Sequence, residues 1–121
     1  MAVSAEYKEM VCELLEGLGA VRIKNMFGGG GVYCEEVMFA LIADETLYFK
    51  VNETTIPSYE AEGCSPFVFE MANGRSATMS YWSLPDYLYD DPEEAAVWAR
   101  RALDVAHAAK AAKPARTKKR R

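Results

Sequence analysis

The sequence has no cysteine pair at metal-binding or redox spacing. Cys12, Cys34 and Cys64 are odd in number and widely separated, none sits in a CxxC motif, and no histidine stands beside one, so a zinc site has no ligand set. They read as free thiols of a reducing compartment, small apolar residues suited to burial. Histidine is nearly lacking as well. His107 is alone, without a serine, cysteine or acid at a spacing that would build a nucleophile and its base, and a place late in the last helix explains it through the helix dipole. Long apolar runs are missing too: no stretch approaches the roughly 20 residues that span a bilayer, and MAVSAEYKEM lacks the basic and apolar regions of a secretion signal. These gaps predict a soluble cytoplasmic protein with no membrane contact, no metal, no cofactor and no catalytic residue. Adjacent acids do occur, at Glu35-Glu36, Asp44-Glu45, Asp90-Asp91 and Glu93-Glu94, but they fall in turns and at a helix start, where solvation explains them.

What remains is enough for one domain. With 121 residues, 50% hydrophobic and 26% charged, the chain can bury a core without metal or disulfide staples. Its net charge of -4 hides an asymmetry: Lys110, Lys113, Arg116, Lys118, Lys119, Arg120 and Arg121 are seven of the 14 basic residues, and no acid follows Asp104. Residues 1–109 therefore form an acidic folded body and residues 110–121 a basic tail, expected to be disordered and solvated. Its end, Lys118, Lys119, Arg120 and Arg121, is expected to give weak, sequence-indifferent attraction to nucleic-acid phosphates.

Apolar spacing supplies the elements. Tyr7, Met10, Val11, Leu14, Leu15 and Leu18 make one helical face over Ala5 to Leu18, with Ser4 to cap the start and Gly19 the end. VRIKNMF and VYC, on either side of four glycines, form two strands or one interrupted strand. VMFALIA and LYFKV make a hairpin. In its second strand Leu47, Phe49 and Val51 share one face while Tyr48 and Lys50 share the other. VMFALIA is apolar on both faces, which a helix layer, neighbouring segments or a second copy must cover, so self-association is expected. Pro57 opens a short helix, PFVFEM and ATMSYWSL pair through the Asn73-Gly74 turn, and Asp91-Pro92-Glu93-Glu94 starts a long helix to about Ala109. The order α-β(3)-α-β(2)-α predicts an α+β domain of two layers with a mostly antiparallel, five-stranded sheet.

Two stretches invite a functional reading. Gly28, Gly29, Gly30 and Gly31, with nearby Tyr33, would suit a phosphate cradle, but no lysine and Ser/Thr close the motif and no helix follows. A turn or bulge needing positive φ is the better reading; the alternative is a small-molecule-binding or enzymatic domain that uses this loop. In MSYWSLP, Tyr81 and Trp82 point to opposite faces of a regular strand, so one belongs to the core and the other is a candidate interface residue. Stacking of aromatics on nucleic-acid bases is conceivable on such a sheet, yet no RNA-recognition motif is present and the body is acidic, which argues against it.

Taken in order, MFGGGGVY, MFALIADETLYFKV, SPFVFEM, MSYWSLPDYLYDD and WARRALDVA resemble the N-terminal domain of the TfoX/Sxy regulators of bacterial DNA-uptake competence, over residues 5–109. The resemblance implies a small domain similar in outline to secretion-chaperone-like folds. It also implies a non-enzymatic role, by protein contact with the transcription machinery or with a regulator such as the cyclic-AMP receptor protein. The family's regulators carry a second, C-terminal domain, whereas here Ala109 is followed by the basic segment; a stand-alone regulatory domain is expected.

Overall fold

In the computed structural model, which describes residues 4–26, 29–70 and 73–117, the Ser4 hydroxyl accepts a hydrogen bond from the Tyr7 amide at 3.1 Å and starts helix α1, Ala5–Leu14. Regular helix ends at Leu14 rather than Leu18, and turns carry the chain to Gly19, whose φ of 136° needs glycine. Leu15 and Leu18 are buried nonetheless, because the apolar spacing encodes which side is buried and not where the last helical hydrogen bond falls.

Six strands form one antiparallel sheet: β1 Arg22–Met26, β2 Gly29–Cys34, β3 Val37–Ala43, β4 Thr46–Lys50, and, after helix α2 at Ile56–Ala61, β5 Pro66–Glu70 and β6 Ser76–Ser83. Their spatial order is β1-β2-β3-β4-β6-β5. A 3-10 turn at Asp86–Asp90 leads to helix α3, Pro92–Thr117, started by the Asp91 carboxylate, which accepts from the Glu94 amide at 3.2 Å. The α+β class is as predicted, with six strands instead of five. β1 and β2 are separate and pair with each other, Ile23 opposite Val32 and Asn25 opposite Gly30. Helix also continues through 110–117, where composition suggested a tail; alanine, lysine and arginine favour it and Pro114 opposes it. Residues 118–121 lie outside the described residues.

For three of the four glycines the structure differs from the turn expected. Gly29, Gly30 and Gly31 belong to strand β2, and none of the three has a positive φ; Gly28 lies outside the described residues. Their reason is space. A Cβ on Gly29 would strike the Ile42 carbonyl oxygen, and one on Gly31 would come within 2.8 Å of Met38 Sδ and 2.9 Å of Met26 Cε. A bulge does occur just beyond: the register of β2 on β3 slips between Val32 and Tyr33, and Phe39 is the extra residue. That slip turns both Phe39 and Ala40 into the core, which is why alternation fails in VMFALIA.

Two hairpins close tightly. Glu35 and Glu36 between β2 and β3, and Asp44 and Glu45 between β3 and β4, all have positive φ, from 51° to 69°, the backbone of two-residue primed turns that glycine and asparagine favour. Each glutamate or aspartate there is strained. Glu45→Gly is expected to raise stability by about 0.5–1 kcal/mol, the strain relieved less the added freedom of the unfolded chain; a urea midpoint that stays level or falls would contradict this.

The layers divide cleanly. Ile23, Val32, Cys34, Val37, Phe39, Ala40, Ile42, Leu47, Phe49, Val51, Trp82 and Leu84 face the helices and pack with Val11, Leu14, Leu15, Leu18, Tyr59, Leu88 and the Trp98-to-Ala106 stripe of α3. α3 lies across β3 and β4. Among the described residues no helix covers the opposite sheet face.

Candidate functional site

Cross-strand pairing fixes what that second face carries. Arg22 is opposite Tyr33, which is opposite Met38; Lys24 is opposite Gly31, then Leu41, Tyr48 and Ser83 in one row; Lys50 is opposite Tyr81. Phe67 of β5 meets Tyr48 edge to face, ring centroids 5.1 Å apart. An antiparallel sheet open on one side usually presents polar residues there. Here it presents tyrosines, a phenylalanine, methionines and a leucine, with cations over the rings: the Arg22 guanidinium 5.9 Å and the Lys24 ammonium 5.6 Å from the Tyr33 centroid, the Lys50 ammonium 5.0 Å from that of Tyr81.

The two aromatics singled out in MSYWSLP part as strand geometry predicts. Tyr81 joins this face but is buried by its neighbours, and burial, with the Tyr33 phenol as a second cause, pushes its hydroxyl up to about 12. Burial raises Tyr7 and Tyr59 as well. The unfolded chain ionises these phenols near pH 10, so from pH 10 to about 12 it releases protons that the fold retains, and stability falls as pH rises through that window. The melting temperature should therefore decline above pH 10, and less steeply in Tyr81→Phe; a flat profile to pH 12 would contradict the burial.

Trp82 faces the other way, half-buried beside the core. It lines an open groove of about 690 Å³ with Val51, Ile56, Pro66, Val105 and Ala108, between α3, α2 and the end of the sheet. Around the sheet's end a second groove, of about 560 Å³, is lined by Glu36, Met38, Lys50, Tyr81, Ala106 and Lys110. Neither groove touches Gly29–Gly31 or Tyr33, and Lys118, Lys119, Arg120 and Arg121 fall outside the described residues.

His107 corrects its expectation. It lies well inside α3, not at its end, and its Nε2 is 2.9 Å from Glu35 Oε1, with Arg100 Nη1 at 4.0 Å from Oε2. All three side chains are about half exposed, so the cluster pins the β2–β3 turn to α3 without much energy. Cys34 is its neighbour in the chain, but burial, and then the Glu35 carboxylate, raise that thiol, the reverse of an activated nucleophile. Among the described residues no group of three or more His, Cys, Asp or Glu is placed to hold a metal ion, and no helix is long and apolar enough to cross a membrane. Reasoning from the sequence missed Arg22, Lys24, Tyr48 and Phe67 as companions of Tyr33. The alternation of RIKNM and LYFKV put each on a face; only the register shows that it is one face.

Comparison with protein families matches residues 13–106 to the TfoX N-terminal domain, most of the folded body. The chain belongs to the TfoX N-terminal domain family. It is 33% identical over 90 residues to the DNA transformation protein TfoX of Haemophilus influenzae, covering 73% of this chain and 42% of that protein. With the DNA transformation protein TfoX1 of Aliivibrio fischeri it shares 27% over 85 residues, 70% of this chain and 40% of that one. The chain thus spans about two fifths of the length of the curated relatives it matches. The TfoX match takes in the whole sheet, from β1 to β6, together with α2 and the sheet-packed part of α3.

Proposed function

We propose that this TfoX N-terminal domain is a non-enzymatic interaction module of the cytoplasm that acts by protein contact in the regulation of transcription. The observation that carries the reading is the groove beside Trp82: open, floored by Val51, Ile56, Pro66 and Val105, and set where α3 leaves the sheet. Such a cleft suits an apolar segment of another protein. The His107–Glu35 pair supports the non-enzymatic side, because the thiol beside it is held protonated. The partner proposed is the transcription machinery or a regulator such as the cyclic-AMP receptor protein, as the family resemblance implies; the relatives matched are named for DNA transformation. Sedimentation of the full chain with purified cyclic-AMP receptor protein and cyclic AMP, and separately with RNA polymerase, tests this. A co-sedimenting complex with either is expected; free sedimentation in both mixtures would contradict the reading.

A further inference from the structure

The acidic body discouraged any nucleic-acid role, but half of its acids lie away from the open sheet face. Glu6, Glu9 and Glu13 lie on α1, Glu60 on α2, Asp86 and Asp90 in the 3-10 turn, and Glu93, Glu94 and Asp104 on α3, all in the layer behind the sheet. On the helix-free face the register places Arg22, Lys24 and Lys50 and, among the side chains described, no acid. Glu35 and Glu36, and Asp44 and Glu45, stand in the turns at its two ends; burial first, and then Asp44 near it, raise the Tyr48 phenol. Net charge, summed over the whole chain, conceals this polarity, and it is the local field that an approaching anion meets.

The rings are arranged across the strands. Tyr33 on β2 and Tyr48 on β4 are separated by one strand, about 10 Å at ordinary sheet spacing, and Phe67 touches Tyr48 from the far side. Tyr33, Tyr48 and Phe67 are each partly accessible, and the Met26 and Met38 side chains meet beside Gly31. A row of partly accessible rings with cations beside them suits unpaired bases joined by phosphates, because stacking needs only a π-face and the backbone needs only fixed positive charge. A duplex hides its base faces and cannot use such a row. A second copy laid face to face would bring its own Arg22, Lys24 and Lys50 against the same patch, which like charges oppose.

We propose that the helix-free sheet face of this domain binds single-stranded nucleic acid, with bases over Tyr33, Tyr48 and Phe67 and phosphates at Arg22 and Lys24. The two cations now over Tyr33 are exposed side chains and swing to the phosphates as a base takes their place on the ring. Lys50 also borders the groove beside Trp82, but none of Arg22, Lys24, Tyr33, Tyr48 and Phe67 lines it.

The probe is fluorescein-labelled dT12, followed by anisotropy with the full chain at low salt. Arg22→Glu/Lys24→Glu is expected to weaken binding about tenfold or more and to make the log-affinity slope against log salt shallower by about 1.4, two phosphates' worth. Lys8→Glu/Arg101→Glu, the same charge change placed on the helices, should cost several times less. Tyr33→Ala should lose at least about fivefold and Tyr33→Phe recover nearly all of it, as loss and retention of one stacking platform require. The 12-base-pair duplex should bind more weakly than the single strand. Equal losses in the two charge doubles would assign binding to the basic C-terminal residues and overturn the proposal. So would indifference to Tyr33→Ala, absence of binding at low salt, or poly-glutamate displacing dT12 as well as unlabelled dT12 does, which would mark the face as a dock for acidic protein.

Discussion

Gly29→Ala is expected to destabilise the domain by about 3 kcal/mol, the upper end of what an inserted methyl costs in a packed site. The Cβ would meet the Ile42 carbonyl oxygen and lie 3.3 Å from the Ile42 carbonyl carbon. These are backbone atoms of a central strand, and they cannot move aside without breaking the β2–β3 pairing of Gly30 with Ile42 and Gly31 with Leu41. Gly31→Ala is the control. Its closest neighbours are the Met38 sulfur and the Met26 methyl, ends of flexible side chains that can shift, so it should cost less than half as much. Urea unfolding followed by circular dichroism measures both, and equal costs would show that the glycines are not explained by backbone approach.

Phe49→Ala is expected to cost about 3–5 kcal/mol, lost transfer energy plus the cavity left behind. Phe49 is fully buried, its ring centroid is 6.1 Å from that of Phe39, and its strand neighbours are Ala40 and Trp82. A domain of this size has a total stability of about 5–15 kcal/mol, so the variant should melt far below the parent or fail to fold. Tyr48→Ala, one residue earlier on the uncovered face, removes a ring of similar size from a half-buried site and should cost much less. Similar losses at the two positions would mean that both faces of β4 are core, contrary to the layering described.

Much of the fold was legible because burial leaves a period in the sequence. Leu47, Phe49 and Val51 alternate with Tyr48 and Lys50, and the structure puts the first set among the helices and the second on the open face. Ser4 and Asp91 announce helices α1 and α3, and both cap them. The glycines misled because a glycine is kept for two different reasons, a positive φ or a lack of room, and only neighbouring strands reveal the second. Phe39 breaks the alternation of β3 as the extra residue of a bulge that shows only in the pairing with β2, so VMFALIA looked two-sided when much of it faces one way. His107 and Glu35 are 72 positions apart in the chain, beyond any local spacing rule. The open face was half legible: its residues alternate in β1 and β4, but pairing across the sheet, which no local pattern contains, brings Arg22 and Lys24 to Tyr33.

The groove beside Trp82 is the proposed seat of a protein partner. Ala108 is exposed on α3 and lines that groove, so Ala108→Arg fills it without entering the core. Sedimentation with whichever of the two proposed partners binds the parent chain, run on parent and variant with melting temperatures recorded, is the direct measurement. The variant is expected to melt like the parent and to lose the complex; a variant that binds the partner as tightly as the parent would contradict the assignment of the groove.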